Sequence, residues 1–474
     1  MIAGPSLLIG LPLAMVPIVY LLRRWEKLAA FLSAVTTAAV AGLCLHLPLD
    51  RPSWIFGFVV DLGRTVRVLG REFALLETGR LTIAFVFGVA TALFLFARWI
   101  SQGRSFFPLG LLILGLLNCV ILIRHLLFSV LFLATASIIA VFIVQGGRRG
   151  SAEGAFRYLM STILAFPPLL VSIWLMEQYA LNPDEVGLIH SAIAFLMVGF
   201  AIFLAVVPFH GWVPAIAAEA PPLVTALILT VMQAIVLLLM LNLLGSHLWL
   251  AENPRFFWTL RVVGLAMVVW GGFSSPFQRD FGHLWGYAAL NDMGWVLASL
   301  GMTSPSGLSI ALWQFASRTV AMVMGAMGLA VMRHRARGEA GFAQLRGAAR
   351  RLPFSAAGLI LSGLSLAGFP FTIGFPSRWA AFSLVASHVG NWLKLGAGWP
   401  LLLILADGGV AAGYLRGLNA LLSSSPDPDL KPEPALTSIV ILSTILLCLV
   451  LSIYPQPLLV CIRSAAGSLA SPSP

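Results

Sequence analysis

The sequence predicts an all-α polytopic membrane protein with about fourteen transmembrane helices, two of which are broken. Of its 474 residues, 59% are hydrophobic and 10% are charged, and the mean hydropathy is +0.95, whereas charged residues make up roughly 25% of soluble domains. Apolar segments long enough to cross ~30 Å of hydrocarbon recur along the chain. Pro and Gly interrupt two of them, near 203–214 and 366–378, at matching places in the two halves. Backbone groups cannot bond to water in the bilayer core, so the spans should be helices and the breaks should face protein or a wet cavity.

The apolar segments divide the chain in order. Residues 1–80 hold the first spans and an outer loop, 81–460 form the main module, and 461–474 form a C-terminal tail. Residues 422–435 are a Pro/Ser-rich linker before the last span. No basic region precedes the first segment, so we expect it to remain as a span. The predicted spans lie near 5–22, 28–47, 81–98, 107–123, 125–145, 156–176, 187–208, 221–245, 258–274, 283–301, 306–332, 353–387, 399–421 and 435–462.

Basic residues collect in alternate connections, and the positive-inside rule places those connections in the cytoplasm. With an even number of spans, both termini then lie outside the inner (cytoplasmic) membrane. The acidic connection at 177–186 fits the outer face. Residues 48–80 carry mixed charge and are expected to be a solvated loop or short surface helices. The basic residues used for this assignment are Arg23, Arg24, Lys27, Arg98, Arg104, Arg148, Arg149, Arg333, Arg335, Arg337, Arg346, Arg350 and Arg351.

Several classes of function are excluded by the pattern. The net charge of +11 is explained by the basic loops, so a nucleic-acid partner is not expected. Nucleotide-binding glycine motifs are missing from the sequence, so neither nucleotide binding nor hydrolysis is expected. The four cysteines, Cys44, Cys119, Cys448 and Cys461, stand apart and predict neither a metal site nor a disulfide. We expect no catalytic residue and no cofactor in this chain, and the lipid bilayer as its surroundings.

The broken segments carry a family resemblance. The chain resembles the antiporter-like membrane subunits of respiratory complex I, of the NADH-quinone oxidoreductase chain M/N type, which are related to Mrp-type cation/proton antiporters and membrane-bound hydrogenases. The resemblance covers roughly 80–460. Its motifs are Pro208-Phe209-His210-x-Trp212-x-Pro214, Glu219-Ala220-Pro221-x-x-Val224-Thr225-Ala226-Leu227, Gln278-Arg279-Asp280 leading to Gly286–Gly294, and Ser365–Pro370 with Gly374-Phe375-x-x-Arg378.

The resemblance implies two inverted five-helix repeats, about 107–245 and 258–421, and other membrane subunits as partners. It also implies a proton relay of lysines and a glutamate, but this chain departs from that pattern. Thr135 stands at the glutamate position, Phe203 and Gln233 stand at lysine positions, and Arg318 and Arg378 replace the later relay residues. Arg cannot be deprotonated in proteins, and Thr, Phe and Gln do not titrate, so the usual lysine relay cannot operate.

Four charges remain near the centres of predicted spans: Asp292, Arg318, Arg378 and Asp407. Each costs about 2.5–3.5 kcal/mol on insertion scales and usually faces a partner or a cavity. An Asp292–Arg318 or an Asp407–Arg378 ion pair would satisfy them. These charges are either a static pair that fixes helix packing or a half-channel in which Asp292, Asp407 and His283 pass protons.

His210 and Glu219, at the first break, have two possible roles. They take up protons, since His titrates near pH 6.5, or they cap and anchor the broken segment. Two functions therefore remain open for the whole chain. It is a subunit that contributes to proton or cation translocation coupled to redox chemistry in partner subunits, or a structural subunit of the same fold that has lost the relay.

Overall fold

The computed structural model describes residues 2–55, 57–146, 152–389, 398–423 and 430–470. These residues form nineteen α-helices, and the prediction of a helical membrane protein is confirmed. The helices are α1 Gly4–Leu21, α2 Glu26–His46, α3 Glu77–Ala97, α4 Phe106–Leu122, α5 Leu126–Gln145, α6 Glu153–Leu181, α7 Val186–Phe203, α8 Trp212–Glu219, α9 Pro222–Ala226, α10 Gln233–Ser246, α11 Leu248–Ala251, α12 Pro254–Ser274, α13 Phe281–Leu300, α14 Pro305–Arg335, α15 Pro353–Leu366, α16 Gly374–Val389, α17 Gly398–Leu422, α18 Ala435–Ile453 and α19 Gln456–Ala470.

Each predicted span coincides with a helix or with a broken pair of helices, except that the last one, 435–462, ends at Ile453 and its remainder belongs to α19. Within the described ranges, eleven helical segments are long and apolar enough to cross a membrane, while α4 and α15 are apolar but shorter. The count of fourteen spans and the inverted repeats therefore stay predictions. Arg148 and Arg149 lie outside the described residues, as do 424–429 of the linker and 471–474 of the tail.

The segment 48–80 differs from its prediction, because its regular structure before α3 consists of short strands rather than surface helices. Strands β1 Ile2–Ala3, β2 Ser53–Ile55 and β3 Phe58–Asp61 form a sheet in the order β1–β3–β2, with β1 parallel to β3. Strands β4 Val66–Val68 and β5 Arg71–Phe73 form an antiparallel hairpin. The Val, Phe and Trp residues of these strands favour extended backbone. The strands are only three or four residues long and lie between charged residues, so the sequence pattern resembles that of a loop.

The C-terminal region, predicted as a tail, is helical as far as Ala470. Residues 461–470 belong to α19, which packs on α14, α3 and α10. Its Ile462 and Ala466 side chains are buried while Arg463 is exposed. An apolar face at helical spacing explains why this stretch folds onto the bundle rather than fraying.

Both predicted helix breaks are present. The first separates α7 from α8 and contains Ala205 with φ 57° and a 3-10 turn, Phe209–Gly211. The second separates α15 from α16 and contains Gly368 with φ 70° and Phe371 with φ 63°. Left-handed backbone cannot continue an α-helix, so the chain interrupts its hydrogen-bond ladder at both places.

Two spans lie at the centre of the bundle. The span Pro222–Ser246, which includes α9 and α10, and the span containing α14 are almost wholly enclosed by other helices. Residues Leu227–Met232 between α9 and α10 form a π-helix. Polar side chains on these spans therefore face protein rather than lipid.

Candidate functional site: a buried charge cluster

The side chain of Asp292, on α13, lies between two arginines. Arg378 Nη2 donates to Asp292 Oδ1 at 2.5 Å, and Arg318 Nε lies 3.7 Å from Oδ2. The Gln314 amide also donates to Oδ1. The three charged side chains are at most 5% exposed. Asp292 is thus the common anion of two buried cations.

Asp407, on α17, completes the cluster from the opposite side of Arg378. Arg378 Nη1 lies 3.4 Å from Asp407 Oδ1, and Trp295 Nε1 donates to the same oxygen at 3.1 Å. Arg378 Nη1 also lies 3.3 Å from Asn291 Oδ1. Two carboxylates and two guanidiniums give no net formal charge, which offsets part of the large cost of removing each ion from water.

Both pairs proposed from the sequence, Asp292 with Arg318 and Asp407 with Arg378, are within ion-pair distance. The shortest contact, Arg378 with Asp292, was missed. Span order alone does not tell which central charges on different helices meet, because that depends on how the broken helix turns back toward α13.

Arg378 also closes the second helix break. Its Nη2 group donates to the carbonyl oxygen of Leu366, the last residue of α15. At Gly368 an added Cβ would collide with the Arg378 side chain, so glycine is required there for space as well as for its positive φ. Gly374 N donates to Ser365 Oγ at 3.0 Å across the same break. Side chains therefore satisfy backbone groups that the interrupted helix leaves open.

Arg318 connects the cluster to the first half of the chain. Its Nη1 donates to the Leu229 carbonyl at 2.5 Å, and its Nη2 donates to Gln233 Oε1 at 3.0 Å. Leu229 lies in the π-helix, a distortion that occurs frequently at functional sites. Gln233, at a position where the family has a lysine, is therefore a neutral partner of a fixed positive charge.

A small cavity in the first half lies beside Gln233. It has a volume of about 20 Å³ and is lined by Ser137, Tyr158, Thr162 and Phe203 among others. A water molecule needs roughly 10–15 Å³ of such volume, so the cavity has room for about one. Among the described residues that line it, Tyr158 is the one with an ordinary titratable side chain.

Thr135 does not face this cavity. It is exposed on the outer surface of α5 and donates to the Leu131 carbonyl at 2.9 Å. Ser137, two residues further along α5, is buried and lines the cavity. Residues two apart on a helix point in directions about 200° apart. If the motif of the family is aligned two positions away, the residue matched to the glutamate therefore lies on the opposite face of α5.

His210 lies in the first break and Glu219 is the last residue of α8, and no described contact joins either side chain to the charge cluster. The His210 ring packs against Trp270 at 5.4 Å between ring centres, and its Nδ1 atom is buried with no partner among the described residues. Trp212 Nε1 donates to the Ile202 carbonyl at 3.2 Å near the end of α7. Glu219 Oε2 accepts a hydrogen bond from Gly154 N at 2.8 Å, so it caps the start of α6.

His283 lies at the exposed start of α13, with 47% of its side chain exposed and Nδ1 3.6 Å from Asp280 Oδ1. Asp280 caps this helix by accepting from Gly282 N at 2.8 Å. Burial opposes ionisation of Asp280, but the His283 hydrogen bond and the Arg333 charge outweigh it and hold the pKa of Asp280 below its usual value. Nine residues of helix, ~13 Å, separate His283 from Asp292, so the structure does not bring His283 to the cluster.

Arg333 was assigned from the sequence to a cytoplasmic loop, but it lies in the last turn of α14 and is buried. Its guanidinium donates to the carbonyl oxygens at the end of α8, those of Ala217 at 3.0 Å, Ala218 at 2.8 Å and Ala220 at 2.9 Å. A cation at a helix C-terminus also interacts favourably with the helix dipole. The central helix of the second half is thereby attached to the broken helix of the first.

Metal ligands do not cluster in the described part of the chain, where no group of three or more His, Cys, Asp or Glu residues could hold an ion. Cys44, Cys119 and Cys448 are buried free thiols and Cys461 is exposed. The candidate site is therefore the cluster of two aspartates and two arginines.

A multi-span helical bundle with two broken helices and a cluster of Asp and Arg side chains at one break is typical of membrane transport proteins. The family described as NADH:quinone oxidoreductase/Mrp antiporter, transmembrane, matches residues 123–398, and the chain belongs to it. A protein from Halorhodospira halophila named NADH-quinone oxidoreductase subunit N is 26% identical over 329 residues, 67% of this chain. The match spans 65% of that relative, just under two thirds of its length.

Solved structures agree on the fold. One is the Mrp complex from Dietzia sp. DQ12-45-1b, a chain of which is 17% identical with a TM-score of 0.83, covering 99% of this chain and 98% of that chain. Another is respiratory complex I from Thermus thermophilus with bound aureothin, at 20% identity and a TM-score of 0.70, covering 96% of this chain and 99% of that chain. At these identities the likeness shows the fold alone. The family resemblance predicted from the helix-break motifs is confirmed.

Proposed function

We propose that this chain is a subunit of a multisubunit membrane assembly of the complex I, Mrp or hydrogenase type, and that it contributes to translocation of protons or cations driven by its partners. Family membership and the names of its relatives support this proposal. The proposal includes an inner-membrane location with both termini outside, other membrane subunits and lipid as partners, no nucleotide or nucleic-acid ligand, and no cofactor in this chain.

The observation that carries the proposal is the placement of Asp292 and Asp407 on two sides of Arg378. Arginine keeps its proton, so the carboxylates are the groups of the cluster that can gain and lose one. Protonation of Asp292 would weaken its attraction for Arg378 and favour the Asp407 pairing; loss of that proton would reverse the preference. Arg378 also donates to the Leu366 carbonyl, so a change in its carboxylate partner would alter its hydrogen bond at the helix break.

A structural subunit is the second candidate, and the first half of the chain favours it. Thr135, Phe203 and Gln233 replace the relay residues that the family resemblance implies, and the adjacent cavity has room for about one water. In that case the charge cluster would hold α13, α14, α16 and α17 together without exchanging protons.

Proton pumping by the parent assembly in sealed vesicles separates the two candidates. The variants Asp292→Asn and Asp407→Asn are compared with wild type at equal assembly, with Asp184→Asn, an exposed loop carboxylate, as the control. Loss of pumping in either cluster variant, with assembly and the control intact, supports translocation. Unchanged pumping in both cluster variants would leave the structural role.

A further inference from the structure

The π-helix Leu227–Met232 lies within the enclosed span Pro222–Ser246, and all six of its residues are buried. Its sequence, Leu-Ile-Leu-Thr-Val-Met, contains neither Pro nor Gly, the residues that ordinarily disturb a helix. Apolar segments in a bilayer form α-helices as a rule, and π-helices are rare. The π form of this segment therefore calls for a contact from outside it.

The Leu229 carbonyl receives such a contact. In an α-helix the backbone N–H of Gln233 would donate to the Leu229 oxygen, four residues before it. Here that N–H donates to the Ile228 oxygen, five residues before it. The Leu229 oxygen instead accepts from Arg318 Nη1 at 2.5 Å. Arg318 thus takes the place that the Gln233 backbone N–H has in an α-helix.

The same guanidinium belongs to the charge cluster of the second half. Its Nε lies 3.7 Å from Asp292 Oδ2, and both side chains are 1% exposed. Its Nη2 donates to the Gln233 side chain at 3.0 Å. A guanidinium is planar and holds its nitrogens in a fixed arrangement, so it cannot turn toward Asp292 without altering its bond to Leu229. One rigid group therefore connects the cluster to the π-helix.

We propose that Arg318 holds Leu227–Met232 in the π form and that this segment becomes α-helical when the bond to Leu229 is lost. The two forms differ by one residue of helical phase, which is a rotation of about 100° and a rise of ~1.5 Å for α10 relative to α9. The charge cluster of the second half thus sets the rotation of a central span of the first half. This device operates whether or not protons pass through the cluster.

The first test compares structures of the complete assembly determined by electron cryomicroscopy. The double variant Asp292→Asn/Arg318→Met removes one charge of each sign, so Arg378 and Asp407 remain to balance each other. Asp292→Asn alone is the matched control, because it changes the same cluster and keeps Arg318. The feature to be compared is the acceptor of the Gln233 backbone N–H.

The proposal gives opposite expectations for these variants. Wild type and Asp292→Asn should keep the bond from Gln233 N to the Ile228 oxygen, whereas the double variant should show the α-helical bond to the Leu229 oxygen. A π-helix retained in the double variant would overturn the proposal.

A second contact on the segment provides another control. The Thr230 hydroxyl donates to the Ala226 carbonyl at 2.6 Å, and Thr230→Val removes it with little change of shape. This variant should keep the π-helix. Loss of the π-helix in Thr230→Val, with the π-helix retained in the double variant, would assign its stabilisation to Thr230 and overturn the role of Arg318.

Deletion of one residue tests the proposal without altering the cluster. Without Ile228, Leu229 becomes the fourth residue before Gln233, so the segment can close as an α-helix while α10 keeps its rotation. This deletion should permit assembly. Deletion of the buried Leu239, within α10, rotates the two parts of that helix by about 100° relative to each other and should abolish assembly.

The deletion of Ile228 should also make Arg318 less important. Arg318→Met should lower the melting temperature of the assembly less in the deletion background than in the full-length chain, because the Leu229 oxygen then accepts from the backbone. Equal losses in the two backgrounds, or assembly after deletion of Ile228 as poor as after deletion of Leu239, would show that Arg318 does not act through the π-helix. None of these measurements depends on proton pumping.

Discussion

The guanidinium of Arg378 donates to the carboxylate of Asp292 at 2.5 Å although the two residues are 86 positions apart in the chain. The contact joins α13 to the second piece of the broken helix. The same guanidinium nitrogen donates to Leu366, at the end of the first piece. The charge of Asp292 and the geometry of the break are therefore linked through one side chain.

Asp292→Asn is expected to destabilise the protein. The substitution leaves Arg318 and Arg378 buried with only Asp407 to balance them, and breaking a buried pair costs about 3–5 kcal/mol. Asp407→Asn should have a smaller effect, since its side chain is 16% exposed and its contact with Arg378 is longer, at 3.4 Å. Thermal unfolding of the purified assembly measures both.

An exposed carboxylate provides the control for this comparison. Asp184→Asn, in the connection between α6 and α7, should leave the unfolding temperature unchanged. A drop in Asp407→Asn as large as in Asp292→Asn would show that Asp292 is not the principal counter-ion.

The sequence was sufficient to predict the helical membrane fold, both breaks and the four buried charges, because each has a local signal. Apolar length identifies spans, Pro and Gly identify breaks, and a charge within a span demands a partner. The pairing of Arg378 with Asp292 has no local signal, since it depends on the direction in which α16 leaves the break. Arg333 also has no local signal. In the sequence it resembles the other basic residues of the connection that follows, and only the tertiary structure shows that it contacts the end of α8.

The stability of variants at Gln233 should depend on the sign of the charge that is introduced. Its amide oxygen lies 3.0 Å from Arg318 Nη2, so Gln233→Lys would place two cations together inside the membrane. Gln233→Glu would instead supply Arg318 with a second carboxylate. We expect Lys, the residue implied by the family, to lower the unfolding temperature more than Glu of similar size.

Gln145→Lys and Gln145→Glu, at the last residue of α5 where the side chain is exposed, are matched controls and should differ little. Equal effects of Lys and Glu at position 233 would argue that Arg318 is balanced entirely by Asp292.

Arg333→Ala is expected to loosen the end of α8. The substitution removes the hydrogen-bond donor of three backbone carbonyl groups. Each buried carbonyl left without a donor lowers the free energy of unfolding by about 1–3 kcal/mol. Hydrogen exchange in the assembly should rise in residues 212–220 more than in the rest of the first half. Arg346→Ala, at an exposed arginine of the connection after α14, is the control and should leave hydrogen exchange unaltered. Unchanged protection of residues 212–220 in Arg333→Ala would show that the Arg333 contacts do not stabilise the end of α8.

The orientation in the membrane is tested by two cysteines placed in opposite connections. Residues 333–352 should be cytoplasmic and residues 177–186 outside, because the first are strongly basic and the second carry no basic residue. Cys461 is exposed and is replaced by Ser in the background chain, while Cys44, Cys119 and Cys448 are buried. A membrane-impermeant maleimide applied to intact cells should label Asp184→Cys and should label Glu339→Cys only after the cells are opened. Labelling of Glu339→Cys in intact cells would reverse the orientation.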